Sequence, residues 1–313
     1  MKPVDLVRLA PLMARTAGRP EVAVGLVDGF VAADQPAFDG RRIRLLSGEA
    51  VSCAGGCDRA APNSRCLHGT FVAGVLSAER SSAAPGICPD CTLLIRPIFE
   101  PDHPGHAGYP NHPGRPRQPG GAAARLEDLA AAIVETVDAG ARVLNLSVAP
   151  ERPSNGGHRE LTAALDHAAN RGVITVVAAG NQGRLAGSVL TRHPWTIPVV
   201  AYDARGRPMN LSNLGGSIGG RGIGAPGEAI VSLGPGDRPL RLTGTSAAVP
   251  FVVGTVALLL SQFPQASPTE VRHAVERSGC ARRRTVVPPL LDAWAAWTGL
   301  LPPGAPPNVR RLD

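Results

Sequence analysis

Short, almost wholly apolar runs alternate along the chain with stretches in which apolar residues recur every third or fourth position. "VAVGLVDG" at 22–29 reads as a buried strand that ends in an Asp-Gly turn. "CTLLIRPIF" at 91–99, "ARVLNLSV" at 141–148, "GVITVVAAGN" at 172–181 and "WTIPVVAY" at 195–202 read the same way, and a further strand is expected near 229–233 among Gly-rich turns. Helical spacing occupies 68–80, where Phe71, Val72, Val75 and Leu76 share a face. It returns at 125–138, with Leu126, Leu129, Ile133 and Val137, and again at 158–171. "TSAAVPFVVGTVALLL" predicts a core helix from Ser246 to about Phe263, with Ser246 as its N-cap. Pro250 is read as tolerated near the start of that helix, where few N–H groups have partners to lose. A last helix begins at a capping box of Ser267, Pro268 and Glu270. "LLDAWAAW" in the Pro-rich tail suits one more helical turn.

Strands that alternate with helices predict an α/β fold: a mainly parallel sheet with helices on both faces, in three layers. In such a fold ligands bind beyond the carboxyl ends of the strands. Asp28, His68, Asn181 and Ser246 all fall at strand ends or helix starts. The segment 100–121 is dense in Pro, Gly and His and is expected to be a surface loop. Its His103, His106 and His112 read as plain loop residues, because no fixed ligand geometry is evident.

Composition narrows the picture. With 313 residues and 4% aromatics, the core must come from Ala, Val, Leu and Ile. The longest apolar run, Val249 to Leu260, is interrupted and too short to cross a bilayer, so no membrane partner is expected. The N-terminal residues carry no continuous apolar secretory segment, and the default expectation is a cytoplasmic protein. Net charge is +7, yet every basic residue except Lys2 is an Arg, and apart from Arg282, Arg283 and Arg284 these are scattered without interleaved aromatics. That pattern argues against a nucleic-acid partner. Of the six cysteines, Cys53, Cys57 and Cys66 precede a His-Gly-Thr segment, Cys88 and Cys91 form "CPDC", and Cys280 lies near the end. A metal site, disulfides and unrelated buried thiols all stay open: the CxxC spacing suits zinc, and a cytosolic setting disfavours stable disulfides.

Acyl transfer needs a hydroxyl nucleophile, an imidazole to take its proton, a carboxylate to orient the imidazole, and donors for the oxyanion. Ser246, His68, Asp28 and Asn181 supply one of each. Singly, each has a plain structural explanation as a cap or turn residue. Together, in this order, they resemble the motifs of the subtilisin-like serine proteases, the subtilases: "VGLVDG" with Asp28, "HGTFVAG" with His68, "VVAAGNQG" with Asn181 and "GTSAAVP" with Ser246. "LNLSVA" at 144–149 resembles the strand that lines the substrate cleft.

The resemblance implies a subtilisin-like catalytic domain over 21–281, with an N-terminal extension at 1–20 and a tail at 282–313. It implies that Ser246 attacks a peptide carbonyl, His68 acts as base and then acid, and Asp28 orients His68. Asn181 and the Ser246 N–H would bind the oxyanion, Ser147 and Gly180 would border the pocket before the cut bond, and no cofactor would be needed. The chain departs from the pattern at Phe71, where the family usually has a second His, and at "APERPS" after the cleft strand, where Gly-Gly is usual. "SSAAPGICPDC" offers few oxygen ligands, so no calcium is expected there. About 20 residues precede the first strand, so neither signal nor propeptide is expected. The overall look is similar to short subtilases that mature ribosomal peptides. The expected partner is a peptide or protein substrate, with an acidic leader suiting the basic charge. A catalytically silent peptide-binding scaffold and a macrocyclase built on the same triad are the alternatives.

Overall fold

The computed structural model describes residues 1–46, 57, 62, 64–98, 126–148, 158–279 and 285–302. The loop at 100–121, Cys53 and Cys280 lie outside them. Seven strands form one parallel sheet: β1 (Ala23–Asp28), β2 (Ile43–Leu45), β3 (Thr92–Pro97), β4 (Val143–Leu146), β5 (Ile174–Ala178), β6 (Ile197–Tyr202) and β7 (Ile223–Pro226), in the order β2-β3-β1-β4-β5-β6-β7. A separate antiparallel pair is made by β8 (Ile230–Leu233) and β9 (Pro239–Leu242). The helices are α1 (Pro3–Leu6), α2 (Ala10–Arg15), α3 (Ser64–Ser77), α4 (Leu126–Asp138), α5 (His158–Asn170), α6 (Val189–Arg192), α7 (Gly216–Arg221), α8 (Thr245–Gln262), α9 (Pro268–Arg277) and α10 (Ala293–Thr298).

A parallel strand covered on both faces must be apolar at every position, which is why the strand runs are continuous rather than alternating. Successive side chains still divide between two cores. Val24 and Leu26 of β1 join α3 and α8 on one side, while Val27 joins α4 and α5 on the other. The result is the three-layer α/β fold expected from the alternation of strands and helices.

The chain reverses direction across the sheet at β1, whose neighbours β3 and β4 are reached by crossovers to opposite sides. A crevice opens at such a switch point, beyond the carboxyl ends of the strands. Asp28 is the last residue of β1, and Ser147 follows directly on β4. Helix α3 reaches this edge only because Gly69 lacks a side chain. A Cβ there would stand 2.4 Å from the carbonyl oxygen of Phe30 and 2.7 Å from that of Gly29.

Helix α8 is long and apolar enough to span a bilayer, more so than the interrupted sequence suggested, but 89% of it is buried within the fold. It packs on β4 to β7, α3 and α9 as a core helix. Its start corrects the sequence reading. Gly244 is the N-cap and makes no side-chain cap bond, so Ser246 is the second helical residue and not the cap. Pro250 lies inside the helix, beyond the first four residues. The capping box at Ser267 and Glu270 forms as expected, and Asp292 caps α10 by accepting from Ala295 N–H. The Gly-rich stretch read as turns contains α7 and β7, and the strand near 229–233 sits in the small hairpin off the main sheet.

Candidate active site

Asp28 is buried at the end of β1 and hydrogen-bonds His68, which α3 carries in its first turns. His68 Nδ1 lies 2.6 Å from Asp28 Oδ1, and the Gly29 N–H donates to the same oxygen at 2.6 Å. A carboxylate only accepts, so Nδ1 carries the proton and Nε2 of the neutral ring is left as an acceptor. Burial disfavours the imidazolium, but the Asp28 charge and hydrogen bond outweigh it and hold the His68 pKa above the usual 6.5.

Ser246 is half-buried on the second residue of α8, where a backbone N–H has no intrahelical acceptor and the helix presents its positive end. Helix α8 packs against α3, so the Ser246 hydroxyl and the His68 imidazole ride on adjoining helices. Among the described residues the His68 ring bonds Asp28 and not Ser246 Oγ, a link that is commonly loose before substrate binds.

Asn181 is exposed just past β5, and among the described residues its side chain is held from one end only. Its Oδ1 accepts from Thr245 N–H at 2.9 Å and from Thr245 Oγ1 at 3.0 Å. The backbone donor fixes the amide's orientation and leaves Nδ2 as its outward donor. Gly244 makes the approach possible. Its φ is +145°, and a Cβ there would stand 3.0 Å from Asn181 Nδ2. Gly180 N–H donates to Thr245 Oγ1 at 3.2 Å, and Ser147 Oγ donates to the Ser246 carbonyl at 3.1 Å. Gly180, Asn181, Ser147 and the start of α8 therefore form one hydrogen-bonded cluster on the sheet edge that bears Asp28.

The sequence reading missed three residues of this cluster. Thr245 stood in plain view beside Ser246. Asn213 accepts from Gln182 N–H and Arg184 N–H and so braces the turn after Asn181. Asn145 donates to Ser147 Oγ at 2.8 Å. A polar residue in the middle of the apolar run "VLNLSV" was the signal for it.

The four described cysteines divide into two states. Cys57 and Cys66 form a disulfide with Cα atoms 5.4 Å apart, which fastens Cys57 to the first turn of α3, two residues from His68. Cys88 and Cys91 are free, buried thiols. Their mutual hydrogen bond, and then burial, push Cys88 well above the usual thiol value, and the same bond draws Cys91 down. Among the described residues no group of three or more His, Cys, Asp or Glu side chains is placed to hold a metal ion. Among the described residues the CxxC pair Cys88 and Cys91 is a thiol pair, and Cys57 is held in a disulfide.

The model of the Subtilase family matches residues 20–290. The chain belongs to the subtilase family. This subtilase is 32% identical over 213 residues to the thermophilic serine proteinase of Bacillus sp. (strain AK1), covering 67% of this chain and 46% of that one. It is 31% identical over 294 residues to mycosin-1 of Mycobacterium tuberculosis, covering 78% of this chain and 64% of that one. The subtilase chain thus spans about half to two thirds of the length of these curated relatives. Among solved structures it is similar to the prenylagaramide maturation protease PagA, with TM-score 0.77, 28% identity, 94% of this chain and 98% of that one. It is also similar to the patellamide maturation protease PatA, with TM-score 0.71, 30% identity, 90% of this chain and 97% of that one.

Proposed function

We propose that this subtilase is a serine endopeptidase that opens a peptide bond through an acyl-enzyme, and that its substrate is a precursor peptide. The observation that carries the reading is the 2.6 Å His68–Asp28 hydrogen bond at the sheet edge where α8 begins, with Ser246 as its second residue. Ser246 Oγ attacks the scissile carbonyl while His68 Nε2 takes its proton, and Asp28 steadies the imidazolium. The oxyanion meets the Ser246 N–H and Asn181 Nδ2. His68 then hands its proton to the leaving amine, and water releases the acyl group by the same route.

Two observations support a precursor peptide as substrate. PagA and PatA, both maturation proteases by name, match nearly their whole length to this chain. The net charge of +7 suits an acidic leader. A cytoplasmic site of action belongs to the same proposal, and the Cys57–Cys66 bridge is the observation that pulls against it.

A fluorophosphonate probe tests the reading directly. Wild-type protein is expected to be labelled and Ser246→Ala is not. An unlabelled but folded wild type overturns the reading in favour of a silent peptide-binding scaffold. Mass analysis after incubation with an acidic-leader precursor then separates the reactions. A linear product is expected, and a product lighter by one water would mean cyclisation.

A further inference from the structure

In an α-helix the carbonyl of one residue accepts from the N–H four residues on. For Ser246 that residue is Pro250, which has no N–H and whose ring crowds the carbonyl four residues back. The backbone carbonyl of Ser246 is therefore denied its usual donor, the N–H four residues on. Ser147 Oγ takes the vacant role at 3.1 Å. Ser147 in turn accepts from Asn145 Nδ2 at 2.8 Å. The direction of this chain is fixed: a carbonyl only accepts, so Ser147 gives its one proton to Ser246, and the amide must present its N–H to the Ser147 oxygen.

Asn145 is an expensive way to fill its site. It is fully buried in β4, and among the described residues its Oδ1 has no hydrogen-bond partner. Its strand neighbours are Val143, Leu144 and Leu146. A half-satisfied buried amide costs stability relative to an apolar residue of similar size. Packing alone would favour Leu here.

We propose that Asn145 is a positioning residue for the nucleophile. Through Ser147 it holds the Ser246 carbonyl whose usual i+4 donor Pro250 removes, and so fixes where Ser246 Oγ stands relative to His68. The inference rests on Ser246 being the nucleophile. A misplaced nucleophile loses rate steeply with distance, whereas binding of substrate is left intact.

The test measures the rate of fluorophosphonate labelling, with thermal unfolding alongside. Asn145→Leu is expected to slow labelling roughly tenfold, within the range that small misplacements cost, with an unfolding midpoint at or above that of the wild type. The pH dependence of labelling stays unchanged, because the His68–Asp28 pair is intact. Ser147→Ala shows a similar loss, and the double variant is no slower than Ser147→Ala alone. The Pro250→Ala background restores an N–H to the Ser246 carbonyl, and there the effect of either substitution falls below about twofold, as coupling through a shared group requires. Should Asn145→Leu fail to fold, the same comparison is read from Ser147→Ala, which removes one oxygen. Labelling of both variants at the wild-type rate overturns the inference. So does an equal loss with and without Pro250, which would mark a packing effect. An unlabelled wild type instead overturns the nucleophile reading itself.

Discussion

His68 carries two opposed influences on its proton, and the structure shows which wins. Burial alone would lower its pKa, but Asp28 beside Nδ1 raises it above 6.5. In the proposed reaction His68 must be neutral to accept from Ser246, so the acid limb of the labelling rate is expected above pH 6.5, the usual imidazole value. Asp28→Asn removes both raising influences and leaves burial, so the midpoint moves down. The rate at its plateau falls by about 10⁴-fold, the size seen when the acid partner of a triad loses its charge. A pH series of labelling rates on both proteins checks this, and an unmoved midpoint contradicts it. The same pair has a signed effect on stability. A raised folded pKa favours the native state fully below the unfolded value of 6.5, and that share is lost as pH rises through the folded value. A second residue-scale prediction concerns Gly69. A methyl group there would meet the Phe30 and Gly29 carbonyls at 2.4 and 2.7 Å, and both are backbone atoms that cannot swing away. Gly69→Ala is therefore expected to lower the unfolding free energy by about 1–3 kcal/mol, as overpacking does, and to slow labelling by moving α3. Denaturant melts and labelling rates read the two effects separately.

The elements that the sequence revealed are those whose burial is set along their own length. β1, β3, β4, β5 and β6 are apolar at nearly every position because helices cover both faces, and α4 shows Leu129, Ile133 and Val137 on one buried stripe. β2 and β9 are short and largely exposed or half-buried, and α7 is built of Gly, Ser, Ile and Arg, so their identity comes from neighbours rather than from periodicity. The site divides in the same way. Asp28, His68, Asn181 and Ser246 were legible because each stands in a motif with its own turn chemistry. Asn213 acts through hydrogen bonds to distant chain, and Asn145 reaches α8 only by way of the Ser147–Ser246 bond, links that no local pattern encodes. Ser246 was misread as the N-cap because Ser favours that position locally, whereas Gly244 with φ +145° occupies it in the fold. The disulfide likewise needed the structure, since sequence spacing left zinc open. It closes a loop with a separation of only 9 residues, which in the chain-entropy account stabilises the fold by about 2–3 kcal/mol. Reduction, or the Cys57→Ser variant, is expected to lower the unfolding free energy by that amount. Denaturant midpoints, with alkylation and mass analysis to confirm the thiol state, measure it, and an unchanged midpoint would show that α3 is held without the bridge.

The two ends of the described chain are clasped into one core rather than left at the surface. Val7, Leu9 and Leu12 are fully buried with Leu291, Ala293 and Trp297. Ala293 N–H donates to the Val7 carbonyl at 2.9 Å, and Arg8 pairs with Asp292 at 2.7 Å. Pro289, Leu290 and Leu291 run beside β7, giving and accepting backbone bonds with Gly224. Trp297 is the keystone of the clasp. It stacks on Trp294 with ring centres 4.6 Å apart, lies 6.1 Å from the ring of Phe263, and carries the Arg15 guanidinium 4.3 Å above it. Burial of such a ring is worth several kcal/mol, so Trp297→Ala is expected to lower the unfolding free energy by about 3–5 kcal/mol. Where that loss acts is the sharper point. Phe263 follows the last residue of α8 and Ser246 stands at its start, so the helix places the clasp roughly 25 Å from Ser246 at 1.5 Å per residue. The helix is buried along nearly its whole length and moves as a packed unit, not as a lever. Trp297→Ala should therefore shift the denaturant midpoint while the folded protein keeps its fluorophosphonate labelling rate. A labelling rate that fell in step with stability would instead mean that the chain ends set the position of Ser246 through α8.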